Sequence, residues 1–306
     1  MVRRLLINMN AQIKELLKPE ILNSINGMEL IARIIVEGFM SGSNKSQTIG
    51  AGQEFSQYRN YEPGDDLRQL DWKMYARSGR YYIKQAEIET NITVKFMLDA
   101  SNSMSYSEHK LSKLQYAKVL TAALAYLARK QSDSFGLFTV NNKHIRVVEP
   151  RFEQQQFLRF LNALIEVKSE GTWEGHNSIE HFFDRHGKEM IFFITDLYDD
   201  EGDLLNFISR LKTTRNEVIV FHIVGEHELK LDYNGSFTFQ DLETKSVRRV
   251  ETTIQQKKYV ERVEEWINQS RLWMYERQIS YQLIRLSDAF ENSLRDFLKV
   301  RKLLIR

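Results

Sequence analysis

The sequence predicts a doubly wound α/β fold, a mostly parallel sheet flanked by helices, behind a helical and irregular or β N-terminal extension. Two observations carry this. Beyond residue 90, short apolar runs alternate with helical stretches of one-sided apolarity, the pattern of βα units in a parallel sheet. Acidic and hydroxyl residues also stand just past the ends of two of these runs, at Asp99 and Asp196. Open α/β sheets bind ligands at that edge.

Taken in order, residues 8–40 read as helical with a break at Pro19, and Ile31, Ile34, Ile35 and Phe39 mark one stripe. Residues 42–52 form a Gly/Ser-rich loop. Residues 53–89 are dense in aromatic and charged residues without clear period, apart from a strand-like piece at 81–84. A strand at 92–98 leads to a helix with Leu111, Leu114, Ala117, Leu120, Leu124 and Leu127 on one face. A strand at 135–140, a turn at Asn141-Asn142, an edge strand at 144–148 and a helix at 153–167 follow, then a loop over 169–175 and a helix at 177–186. The strand 190–195, the helix 202–212 and the strand 218–224 precede a polar, hairpin-like insert at 232–251. A long helix at 255–275, a strand at 281–286 and a helix at 288–302 complete the pattern. The expected domains are 1–89 and 90–306.

Composition excludes several classes. The 306 residues are 42% hydrophobic and 27% charged, enough to bury a sizeable core. A net charge of +2 argues against nucleic acid as partner. With no cysteine there is no disulfide, thiolate metal site or cysteine nucleophile. The opening Met1-Val2-Arg3-Arg4-Leu5-Leu6-Ile7-Asn8 is too short in apolar residues for a signal peptide, and no run approaches a membrane span. The chain is expected to be soluble, unprocessed and cytoplasmic.

The chemistry concentrates at Asp99-Ala100-Ser101-Asn102-Ser103. Positions i, i+2 and i+4 of extended backbone point the same way, so a carboxylate and two hydroxyls can converge. Such hard oxygen donors suit Mg²⁺ or Mn²⁺. The plainer reading is Ser/Asp capping at a strand–helix turn. Asp196, following another apolar strand, and Thr172, in a loop at the same edge, favour the metal.

This set, in this chain order, resembles the von Willebrand factor A-type domain and its metal-ion-dependent adhesion site. The resemblance implies Ser101 and Ser103 as direct ligands of the ion, Thr172 as a direct or water-mediated one, and Asp99 and Asp196 as holders of its waters. The upstream Gly50-x-Gly52-Gln53-Glu54-Phe55, Arg59-x-Tyr61-x-Pro63-Gly64-Asp65-Asp66-x-Arg68-x-x-Asp71-Trp72 and Ala76-Arg77 are similar to a bacterial family, domain of unknown function 58. One departure is Asn44, where that family often has His. The resemblance implies a non-enzymatic interaction protein, with a MoxR-type AAA+ ATPase as partner and a role as adaptor or co-chaperone.

Other clusters have simpler readings. The acids of 62–72 pair with Arg59, Arg68 and Arg77 in a structural network around a Pro63-Gly64 turn. His176, His181 and His186 do not share a helix face, and Asp199, Asp200, Glu201 and Asp203 suit a helix N-terminus. Phosphate-loop, nucleophile-elbow and zinc-protease motifs are missing from the sequence. The enzymatic alternative is a metal-dependent phosphatase or hydrolase using Asp99.

Overall fold

The structure, a computed structural model, describes residues 16–43, 57–62, 70–85, 92–108, 110–141, 146–173, 188–198 and 203–304. The chain forms two compact units, Met1–Gly42 with Ile92–Arg306, and Ser43–Asn91. The N-terminal helices therefore belong with the sheet, and the expected domain of residues 1–89 is corrected. The reason is apolar burial. Pro19 opens the short helix α1 (Pro19–Leu22) at a position where its missing N–H costs nothing. Helix α2 (Ile25–Ser43) begins after Ser24, whose hydroxyl accepts from Gly27 N at 3.1 Å. It then buries Met28, Ile31, Ala32, Ile35 and Val36 in the main core. Ile34 is only partly buried, while residues 8–15 and the Phe39 side chain lie outside the described residues.

The smaller unit contains an antiparallel pair, β1 (Gln57–Asn60) and β2 (Tyr82–Gln85), and the helix α3 (Trp72–Ser78). Asp71 caps α3, accepting from Lys73 N at 2.9 Å and Met74 N at 3.0 Å. Asp65, Asp66 and Arg68 of the expected Arg–Asp network lie outside the described residues. Gly79, at φ 66°, ends the helix in the left-handed region, where a Cβ is unwelcome.

The larger unit runs β3 (Thr93–Asp99), β4 (Ser107–Glu108), β5 (Leu111–Ser112), α4 (Lys113–Lys130), β6 (Ser134–Val140), β7 (Arg146–Arg151), α5 (Gln156–Ile165) and β8 (Glu189–Thr195). It continues with α6 (Asp203–Leu211), β9 (Asn216–Val224), α7 (Glu226–Lys230), β10 (Ser236–Gln240), β11 (Val247–Glu251), α8 (Thr252–Glu276), β12 (Ser280–Arg285) and α9 (Phe290–Leu304). Among the described residues, one sheet has six strands in the order β12-β9-β8-β3-β6-β7. Every neighbouring pair in it is parallel except β6 with β7. This is the doubly wound, mostly parallel fold expected. Leu111 is the local exception: it lies in β5, because the Ser112–Gln115 capping box starts the helix after it. The expected helix at 177–186 falls outside the described residues.

Central strands of such a sheet are buried on both faces, so alternate residues feed two cores. Val94, Phe96 and Leu98 of β3, with Phe192 and Ile194 of β8, enter the core shared with α2, α4, α5 and α9. Met97, Ile191 and Phe193 enter the opposite core, with α6 and α8. The strand order reverses between β3 and β8, and the crevice at that switch point opens at their C-terminal ends.

Candidate functional site

Asp99 ends β3 and is fully buried, as is Ser101; Ser103 and Asp196 are buried too. Asp99 Oδ1 accepts from Ser101 N at 2.9 Å, which turns the chain so that Ser101 and Ser103 face the same crevice. Asp99 Oδ2 accepts from the Thr195 hydroxyl at 2.7 Å across the β3–β8 junction. The Ser101 and Ser103 oxygens are 2.9 Å apart, and Ser103 donates to Asp196 Oδ1 at 3.0 Å. A hydroxyl has one hydrogen, so in this arrangement Ser101 is the donor to Ser103. The structure thus joins Asp99, Ser101, Ser103 and Asp196 in one network.

The two residues before Thr172 fasten its loop to the same edge through their backbone. Glu170 N donates to Ala100 O at 2.9 Å, and Gly171 O accepts from Asn102 N at 2.9 Å. Asn141 holds the neighbouring turn, donating to Ala100 O at 3.2 Å. Leu197, immediately after Asp196, sits at φ 53°, an uncommon conformation for a non-glycine residue. Thr195 Oγ1 braces it, accepting from Leu197 N at 3.0 Å.

Electrostatics at this edge are unbalanced. Lys113, at the start of α4, is buried and donates to Asp196 Oδ2 at 2.8 Å and Glu228 Oε1 at 2.7 Å. Burial works against its charge, but these two carboxylates outweigh burial and hold its pKa above the ordinary value. No such partner serves Asp99. Burial first, and then the charge of Asp196, push its carboxyl up to about 7.

A further acid comes from the insert. Glu243, in the turn between β10 and β11, places its carboxyl beside the hydroxyls of Ser101 and Ser103 and within electrostatic reach of Asp196. Burial and Asp196 raise its pKa, with the serine hydroxyls opposing. Its Oε1 is buried without a hydrogen-bond donor. The single hydrogen of the Ser103 hydroxyl thus has two carboxylates beside it, Asp196 and Glu243. Asp241 organises the turn, Oδ1 accepting from Glu243 N at 2.8 Å and Thr244 N at 2.7 Å. Its other oxygen accepts from the Tyr198 hydroxyl, two residues beyond Asp196. Burial opposes its charge, yet the bonds from Tyr198 and the turn amides hold its pKa below the usual carboxylate value.

Sequence reasoning missed Thr195, Lys113, Glu228 and Glu243. Thr195 carried a signal, as the hydroxyl residue closing an apolar strand just before Asp196. The other three carried none, because each is an ordinary charge in its local context. Among the described residues no three His, Cys, Asp or Glu side chains form a metal-holding group by themselves. The oxygens here are a mixture of hydroxyls and carboxylates.

A family described as "Protein of unknown function DUF58" matches residues 57–267, more than half of the chain. The chain belongs to this family. Uncharacterized protein Rv1480 of Mycobacterium tuberculosis is 22% identical over 233 residues, covering 75% of this chain and 73% of the relative. Mb1516 of Mycobacterium bovis, also uncharacterized, matches to the same extent. Among solved structures, an aerotolerance-related membrane protein of Bacteroides fragilis is 17% identical with a TM-score of 0.48, covering 69% of this chain and all of that one. BatB of Bacteroides thetaiotaomicron is 14% identical with a TM-score of 0.47, covering 71% of this chain and all of that one. The von Willebrand A-type domain of SpRpn10 is 11% identical with a TM-score of 0.39, covering 67% and 95%. Among the described residues of this chain, no helix is long and apolar enough to cross a membrane.

Proposed function

We propose that this chain is a protein-interaction module that grips a carboxylate of its partner through a divalent cation, Mg²⁺ or Mn²⁺, at the β3–β8 edge. The observation that carries the reading is the excess of acceptors there. Lys113 balances Asp196 and Glu228, while Asp99 and Glu243 lack a cation and both resist ionisation. A divalent ion supplies the missing charge, and hydroxyl and carboxylate oxygens are the donors such hard ions take. Ser101 and Ser103 would hold the ion directly, Thr172 directly or through water, and Asp99 and Asp196 through its waters. The ion's contribution is Lewis acidity toward an incoming carboxylate oxygen.

The protein's own residues prepare the site. Ser101 N and Thr195 keep the Asp99 carboxylate fixed, and Lys113 keeps Asp196 turned toward Ser103. The enzymatic alternative is the weaker reading, since both Asp99 oxygens already accept hydrogen bonds, from Ser101 N and the Thr195 hydroxyl, which blunts them as nucleophiles. By family resemblance, the partner is a MoxR-type AAA+ ATPase, for which this chain serves as adaptor or co-chaperone. Cytoplasmic residence belongs to the same proposal.

Calorimetric titration with Mg²⁺ or Mn²⁺ tests the site. Wild type is expected to bind, and Ser101→Ala/Ser103→Ala to lose binding while keeping its circular dichroism spectrum. A pull-down with and without EDTA tests the use of the ion. Recovery of an AAA+ ATPase by metal-loaded wild type, and not by Asp99→Ala, is expected. Equal recovery in EDTA would overturn the metal mechanism.

A further inference from the structure

The insert does more than decorate the fold. Its base is fastened by Thr252, whose hydroxyl meets Tyr233 O at 2.6 Å and Gly235 O at 2.7 Å, and Tyr233 packs on Phe237 and Phe239 of β10. Its tip is a closed turn, with Asp241 N donating to Ser246 O at 2.8 Å and Lys245 N to Asp241 O at 3.1 Å. Tyr198 ties that tip to the strand end carrying Asp196. The one acid aimed inward from this rigid tip, Glu243, has a buried oxygen without a donor, beside two serine hydroxyls. A buried carboxylate oxygen that lacks a donor is unfavourable unless a proton or a cation meets it.

We propose that Glu243 is an intrinsic ligand of the site, its carboxylate taking on the cation the position a partner's acid would otherwise take. This rests on the divalent-cation reading above. It makes the β10–β11 hairpin a built-in pseudo-ligand, which a partner must displace to engage the ion.

The test uses Mn²⁺ as probe with the full chain, reading free Mn²⁺ by electron paramagnetic resonance and coordinated water by proton relaxation. Glu243→Gln is expected to weaken Mn²⁺ binding at least about tenfold, the scale of losses when a metal's supporting groups are removed. It should also raise the number of coordinated waters, and added acetate should tighten Mn²⁺ binding to this variant but not to wild type. Tyr198→Phe, which releases the tip and leaves the carboxylate intact, should weaken binding by a few-fold in the same direction. If Glu243→Gln, folded by circular dichroism, matches wild type in affinity, water count and acetate response while Ser101→Ala/Ser103→Ala loses Mn²⁺, the intrinsic-ligand role falls and the cation site stands. If the double serine variant binds Mn²⁺ as wild type does, both readings fall.

Discussion

The two ends of the β3–β8 strand pair both bury charge, and they resolve it in opposite ways. At the N-terminal end the ammonium of Lys95 of β3 meets the carboxylate of Glu189 of β8, both almost wholly buried. At the C-terminal end, four residues further along β3, Asp99 faces Asp196 with two serine hydroxyls between, and the nearest ammonium, Lys113, is shared with Glu228. The first end is closed by a cation that meets an anion directly. The second is left open, and buried groups that remain uncompensated mark places where function rather than stability sets the arrangement.

The contrast can be broken most forcefully at the closed end. Lys95→Met should cost about 3–5 kcal/mol in urea denaturation, because it removes the buried ammonium that faces Glu189, and Lys95→Met/Glu189→Leu should recover most of the loss. A cost under about 1 kcal/mol would mean that the pair is not closed. At the open end the sign should reverse. Asp99→Asn is expected to stabilise the metal-free protein at pH 8 by roughly 1–2 kcal/mol, since it removes a buried charge that nothing balances. The same variant should lose any thermal stabilisation by Mg²⁺. Unchanged or lower stability without metal would argue that Asp99 is already compensated.

A third buried lysine sharpens the comparison. Lys118 donates only to carbonyls, Ile165 O at 2.8 Å and Val167 O at 2.6 Å, and burial, followed by the charge of Arg146, lowers its pKa to about 8. The folded state then binds fewer protons than the unfolded chain between about pH 8 and the ordinary lysine value near 10.4. Stability therefore rises with pH across that window. Relative to Lys118→Met, wild type should gain about 1 kcal/mol between pH 7 and 9 in denaturation midpoints converted to free energy. A parallel pH dependence of the two proteins would sink this account. The smallest effect is expected at Ser112, whose cap opens α4 and so sets Lys113 in place. Ser112→Ala should cost about 1 kcal/mol by chemical denaturation.

Much of this was legible in the linear sequence because it is local. Apolar runs at 92–98, 190–195 and 218–224 are buried strands whatever surrounds them, and Asp-x-Ser-x-Ser past a strand end places three oxygens on one side by backbone geometry alone. The insert at 232–251 showed its hairpin character through polarity. The N-terminal stripe was visible too, but a stripe says only that a helix buries one face, and does not say against which unit. The segment from 53 to 89 stayed opaque because short elements and aromatic contacts such as Tyr75 stacked on Tyr81 leave no long period to detect.

By itself, then, the sequence determined the α/β class, the order of elements and the residues Asp99, Ser101, Ser103, Thr172 and Asp196 at one sheet edge. Only the tertiary structure decided how charge is distributed there. Lys113 comes 83 residues before Asp196 and 115 before Glu228, and Glu243 arrives on a hairpin from beyond β9. Electrostatic balance is a property of distance in space, and no spacing along the chain encodes which far-off charges a fold will bring together.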